Sequence, residues 1–174
     1  MRMKGLSCES GYPKIWIGQL TGSCRDCHVR LGGVWMAYGQ DLPGSARRHL
    51  RAATELHQVA SAGAQPGCGA VAGYLYGLAG ELAVKALMRD SGMVPLPSEQ
   101  RRDDPYFAHF PALTTQLRNM AQGRRAGELF AIAESNHFQN WSTDMRYAPT
   151  ASVQPSWVQA WSVSAKQLVA KVET

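Results

Sequence analysis

The chain has 174 residues and a mass of 19.0 kDa; 45% of its residues are hydrophobic and 18% are charged. This length supports one buried core, and the sequence has no run of about 18 apolar residues, so a multidomain protein and a membrane-spanning protein are both disfavoured. Eighteen Lys and Arg against thirteen Asp and Glu give a formal charge of +5, which is compatible with an anionic partner such as nucleic acid. The N-terminus lacks the apolar core of a signal peptide, so we expect a cytoplasmic protein.

Residues 1–40 differ in pattern from the rest of the chain. They contain three of the four cysteines and many glycines but no sustained helical period, which predicts an irregular segment. One alternative is that the biological start lies at or near Met36. Cys24, Cys27 and His28 have the spacing of c-type haem attachment, and with Cys8 they would supply four zinc ligands. A chance cluster is favoured over both, so no cofactor is expected.

From Pro43 onward the apolar residues follow a 3.6-residue period. A first stripe begins at Ala46, and a long apolar segment covers Cys68 to Met88. Further helices are predicted from Phe110 to Met120, from Leu129 to near Trp141, and from Trp157 to Thr174. Together they predict an all-α fold, an antiparallel bundle of four to five helices over residues 45–174 that folds without residues 1–40.

The second predicted helix has two distinctive sets of residues. Its expected core face is an aliphatic stripe made of Val71, Leu75, Leu78, Leu82 and Ala86. Three glycines, Gly73, Gly77 and Gly80, lower helix propensity, which indicates that close packing against neighbouring elements offsets their cost.

Three segments in order resemble the HEPN domains (higher eukaryotes and prokaryotes nucleotide-binding), over about residues 45–174. They are Ala46 to Ala53, Ala72 to Leu87 with Glu81 and Lys85 four residues apart, and His109 to Leu113 followed by Trp141 and Met145 to Pro149. The resemblance implies a homodimeric helical bundle that binds nucleotides or RNA. It also implies a possible antitoxin or nucleotidyltransferase partner. Trp157 and Trp161, four residues apart, would support a dimer if they extend the apolar face of the last helix.

Glu81 and Lys85 are an i,i+4 pair with the acid first, the better orientation for a helix. A structural role is favoured, either on the surface or as a partly buried pair that meets Arg146. Arg146 and Tyr147 are likewise interpreted as anchors that pack the preceding loop onto the bundle, with ligand binding as the minority interpretation.

Many HEPN proteins are metal-independent ribonucleases in which four to six residues separate an arginine from a histidine near the last helix. The predicted last helix of this chain has neither residue type. Arg51 with His57 and Arg102 with His109 match the spacing elsewhere, but about one match is expected by chance. Arg102 and His109 are the better candidates because they flank a junction between a loop and a helix. A histidine can transfer the proton of a 2′-hydroxyl, and an arginine can stabilise charge on a phosphate.

Two functions therefore stand as hypotheses. The favoured one is a HEPN-like nucleotide- or RNA-binding or protein-assembly module, without catalysis. The alternative is a metal-independent endoribonuclease of a toxin–antitoxin or phage-defence system. A metal- or redox-binding protein centred on the N-terminal cysteines ranks below both.

Overall fold

A computed structural model describes residues 40–63 and 67–172. The expectations for the irregular N-terminal segment, including the ligand set Cys8, Cys24, Cys27 and His28, lie outside these residues. The described chain is all-α, as predicted, and no strand occurs within it. Its five helices are α1 (Leu42–Ser61), α2 (Gly67–Asp90), α3 (Ala112–Met120), α4 (Ala126–Glu134) and α5 (Pro155–Lys171). They form a helical bundle in which α2 packs against both α1 and α5.

The first helix begins at a local capping contact. The backbone N–H of Gly44 donates to Oδ1 of Asp41 over 2.8 Å, and Pro43 occupies the first turn, where its missing N–H costs nothing. This backbone hydrogen bond is the main reason that the pKa of Asp41 lies below its ordinary value. At the other end, Gly63 has a φ of 74°, which a glycine adopts without strain.

The second helix is the centre of the bundle, but its deepest face is not the predicted aliphatic stripe. Val71 is 50% exposed, and Leu75, Leu78 and Leu82 are only partly buried. Ala86 is the one member of the predicted stripe that is fully buried. The fully buried apolar positions of this helix are Ala72, Tyr76, Ala79, Ala83, Val84, Ala86, Leu87 and Met88. The prediction of close packing at the glycines is confirmed, since a Cβ built on Gly73 would come within 2.8 Å of the Trp161 ring.

The fourth helix ends at Glu134, so its predicted extension to Trp141 is wrong. Residues 135–142 form a loop in which Phe138 and Asn140 have positive φ values of 57° and 61°. Phe138 and Trp141 are both buried in the aromatic cluster beside α2. Burial of these two rings offsets the cost of the left-handed backbone at Phe138.

The last helix contributes core residues along most of its length. Trp161 is buried and its Nε1 donates to the carbonyl oxygen of Gln139 over 2.8 Å. Trp157 packs on it with ring centroids 6.2 Å apart and is itself half-buried. Trp161 is therefore a core residue while Trp157 is partly exposed, and the expected dimer contact stays a prediction. In the described part of the chain, no helix is both long and apolar enough to cross a membrane.

A candidate binding site at the α2–α3 loop

A buried ionic cluster joins α2 to the segment before α3. Nζ of Lys85 donates to Oε1 of Glu81 over 2.6 Å, and the side chains of Lys85 and Glu81 are only 10% and 6% exposed. Nδ1 of His109 lies 2.8 Å from Oε2 of Glu81, so a ring N–H donates to the carboxylate. The partly buried structural pair predicted from the sequence is confirmed, but its third member is His109 and not Arg146.

His109 stands at the surface end of this cluster, with 53% of its side chain exposed. Its carbonyl oxygen accepts from the N–H of Leu113 over 2.8 Å, which places it directly before α3, as predicted. The Phe110–Pro111 peptide bond that follows is cis. With Nδ1 directed to Glu81, Nε2 is the ring nitrogen left for a ligand.

The loop between α2 and α3 is fixed by its own side chains. Asp104 is 1% exposed and its carboxylate accepts from the N–H groups of Leu96 and Tyr106, each over 2.9 Å. The hydroxyl of Tyr106 donates to the carbonyl oxygen of Met93, and burial raises the pKa of this phenol to about 12. These contacts hold a connection of about 20 residues in one conformation.

The outer side of this loop presents arginines and an aromatic ring. The guanidinium carbon of Arg101 lies 4.0 Å from the centroid of the Phe107 ring, and both residues are exposed. Arg102 is also exposed, and its carbonyl oxygen accepts from Nε2 of Gln116 over 3.0 Å. No hydrogen bond or ion pair joins the side chains of Arg102 and His109, although both belong to the described part of the loop. We call Arg101, Arg102, Phe107 and His109 the loop patch.

Arg146 and Tyr147 lie elsewhere, in a 3-10 turn over Thr143–Tyr147. The guanidinium carbon of Arg146 is 4.8 Å from the centroid of the Tyr147 ring. Tyr147 is 78% exposed, so the expectation that it anchors the loop by packing on the bundle is wrong. The ring and the guanidinium form a second exposed stack of an arginine on an aromatic residue.

Sequence reasoning missed two surface depressions. A groove of about 700 Å³ runs along residues 133–142 and includes His137, whose pKa is lowered by burial and by the charge of Lys171. A pocket of about 350 Å³ lies between α1, α2 and α5 and includes His57 and Tyr76. The sequence spacing that singled out Arg51 and His57 identified one residue of this pocket, His57. Nothing in that spacing predicts that side chains of α5 also line the pocket.

Metal binding has no candidate here: no group of three or more His, Cys, Asp or Glu suited to an ion occurs within residues 40–63 and 67–172. Comparisons with known proteins found no matching family model, no matching curated protein and no matching solved structure. The HEPN resemblance therefore stays a prediction that depends on the residues quoted for it.

Proposed function

We propose that this protein binds single-stranded RNA or a nucleotide through the loop patch, as a HEPN-like binding module. The observation that carries the proposal is the exposed stack of Arg101 on Phe107, with Arg102 and His109 in the same loop. Unpaired bases stack on aromatic rings and on guanidinium planes, and arginines also bind phosphates. The patch offers both kinds of contact.

The buried side of the loop supports the same proposal. The buried carboxylate of Asp104 accepts a hydrogen bond from the loop backbone at Tyr106, and the Glu81 carboxylate orients the imidazole of His109. A preorganised loop loses less conformational entropy when a ligand binds. The carboxylates of Glu81 and Asp104 are buried, while Asp103 is exposed beside the arginines and would limit the affinity for a phosphate backbone.

Fluorescence anisotropy of a labelled single-stranded RNA tests this proposal. Phe107→Ala should weaken binding about tenfold, within the range for losing one stacked base. Phe130→Ala is the matched control, because Phe130 is a second exposed phenylalanine, on α4. Absence of RNA and nucleotide binding by the wild type, or equal binding by the two variants, would contradict the proposal.

A ribonuclease is the second candidate, and the contact between Glu81 and His109 favours it. A carboxylate that orients an imidazole through Nδ1 leaves Nε2 to accept a proton from a 2′-hydroxyl. Against it, no arginine side chain among the described residues joins this pair by a hydrogen bond or ion pair. We therefore expect no or very weak cleavage by the wild type.

Cleavage of single-stranded RNA in metal-free buffer distinguishes the two candidates. Any genuine activity should fall about 10²-fold or more in His109→Ala, the loss expected for a general acid or base. His49→Ala serves as the control, because Nδ1 of His49 makes its hydrogen bond within α1, at the carbonyl oxygen of Ser45 over 2.7 Å. Robust cleavage that survives both His109→Ala and Arg102→Ala would eliminate this site, and robust cleavage of any origin would overturn the binding-module proposal.

A further inference from the structure

The pocket between α1, α2 and α5, which we call the α1–α5 pocket, has a polar lining. Its volume of about 350 Å³ lies within the usual range for small-ligand sites. Polar side chains from all three helices line it: Thr54, His57, Gln58, Ser61, Tyr76, Gln159, Ser162 and Lys166. No Asp or Glu occurs among the described residues that line it.

Two of the lining side chains are almost fully buried in spite of their hydroxyl groups. Tyr76 is 1% exposed and Ser162 is 3% exposed. The Tyr76 hydroxyl lies 3.3 Å from Nδ1 of His57, and the two rings meet edge to face with centroids 5.8 Å apart. Buried hydroxyl groups at the floor of a pocket hold fixed positions, because core packing determines their rotamers.

Among the described residues that line the pocket, Lys166 is the one permanently charged side chain. Lys166 is exposed on α5 and makes no hydrogen bond or ion pair with another residue in the described part of the chain. Arg51 on α1 is exposed and lies outside the lining, four residues before the acidic Glu55, so these two charges offset each other near the pocket. Glu55, the acidic residue within α1, is exposed and does not belong to the lining, and α5 has no acidic residue.

We propose that the α1–α5 pocket binds the phosphate group of a small phosphomonoester, with Lys166 supplying the charge and the side chains of Tyr76 and His57 supplying hydrogen bonds. A lysine ammonium is a compact point charge that suits a phosphate oxygen. The pocket is open to solvent on one side, and its volume of about 350 Å³ is large enough for the phosphate group and the sugar of a sugar phosphate or mononucleotide. This site is separate from the loop patch and does not depend on the proposed RNA binding.

Isothermal titration calorimetry of the full chain carrying Phe107→Ala, which removes the stacking ring of the loop patch, with adenosine 5′-monophosphate tests this site. Adenosine, which lacks the phosphate, should show no binding, and ribose 5-phosphate, which lacks the base, should bind within about tenfold of the nucleotide. Lys166→Gln should weaken nucleotide binding about tenfold or more, because it removes a charge-assisted hydrogen bond. Tyr76→Phe should cause a smaller loss.

Arg89→Gln is the control for nonspecific charge effects. Arg89 is an exposed cation on the same helix as Tyr76 but 13 residues further along, about 20 Å away. Its variant should bind the nucleotide as the Phe107→Ala protein does. The proposal is overturned if the Phe107→Ala protein binds neither phosphate compound, if it binds adenosine as well as the monophosphate, or if Lys166→Gln and Arg89→Gln made in the same protein bind alike.

Discussion

Two adjacent faces of α2 are both buried in the bundle, but different physical interactions stabilise their burial. On one face, Gly73, Gly77 and Gly80 leave space that aromatic rings fill, so the fit is steric. On the next face, Glu81 and Lys85 are buried as a hydrogen-bonded ion pair, so the fit is electrostatic. The comparison shows that one helix can be buried nearly all round without a conventional aliphatic stripe.

The two faces also differ in what they require of the rest of the chain. The face with the three glycines requires aromatic rings that lie opposite each glycine along the helix axis. The indole N–H of Trp141 is satisfied at the same time, because Nε1 donates to the carbonyl oxygen of Gly73 over 3.1 Å. The ionic face requires that both carboxylate oxygens of Glu81 find donors, which Lys85 and His109 supply. A buried charge that loses its partner is more costly than a buried surface that loses a few contacts.

The largest effect is therefore expected on the ionic face. Glu81→Leu leaves the Lys85 ammonium buried without a partner and should lower the free energy of unfolding by about 3 kcal/mol. The double variant Glu81→Leu with Lys85→Met removes both charges and should recover most of the loss, because an apolar pair of similar volume replaces a buried ion pair at little cost. Denaturant titration measures both.

A double variant as unstable as Glu81→Leu alone would contradict this account. It would show that the instability comes from the shape of the leucine side chain or from the lost contact with His109. A separate measurement of His109→Ala, which removes the contact with Glu81 and leaves the Glu81 and Lys85 side chains unchanged, distinguishes these two causes.

The second largest effect is expected on the glycine face. A Cβ on Gly77 would overlap the indole ring of Trp141, so Gly77→Ala should lower the free energy of unfolding by about 2 kcal/mol through overpacking. Gly127→Ala is the matched control on α4, where a Cβ meets nothing within 4 Å. It should be neutral or slightly stabilising, because alanine has the higher helix propensity. Equal melting temperatures for the two variants would show that α2 does not need the close approach.

Sequence periodicity was sufficient to predict the order of the helices, and local signals mark several of their ends. Pro43 and Pro155 lie in the first turns of α1 and α5, and Gly123, with a φ of 87°, follows the end of α3. The core face of α2 was harder to predict. Glycine adds little to a hydrophobic pattern in the sequence, yet the aromatic rings of the core approach α2 most closely at its glycines.

The errors come from contacts distant in sequence. The apolar pattern of α4 continues into Phe138 and Trp141, but these rings pack on Gly80 and Gly77 from a loop, and that packing ends the helix at Glu134. In the candidate site, the pair of Glu81 and Lys85 is local and was predictable. The contact of Glu81 with His109 spans 28 residues and depends on how the α2–α3 loop folds.

The smallest effect is expected where an ionic contact is only partly buried, as in the contacts of Glu128 on α4. Its carboxylate accepts from Arg125 over 2.7 Å and from Lys171 at the end of α5 over 3.2 Å, while its side chain stays 23% exposed. Burial alone would raise the pKa of Glu128, but the hydrogen bonds and charges of Arg125 and Lys171 outweigh it and hold the pKa below its ordinary 4.5.

Because the folded-state pKa of Glu128 is the lower one, its stabilisation is complete above the unfolded-state pKa and disappears as the pH falls through the folded-state value. Glu128→Gln should therefore cost less than about 1 kcal/mol at neutral pH, since exposed pairs are screened by solvent. The cost should shrink toward zero in acid, where the wild-type carboxyl is protonated too. Denaturation midpoints of both proteins across the acidic range measure this difference. A constant gap between the two curves would mean that Glu128 stabilises the fold through packing and not through its charge.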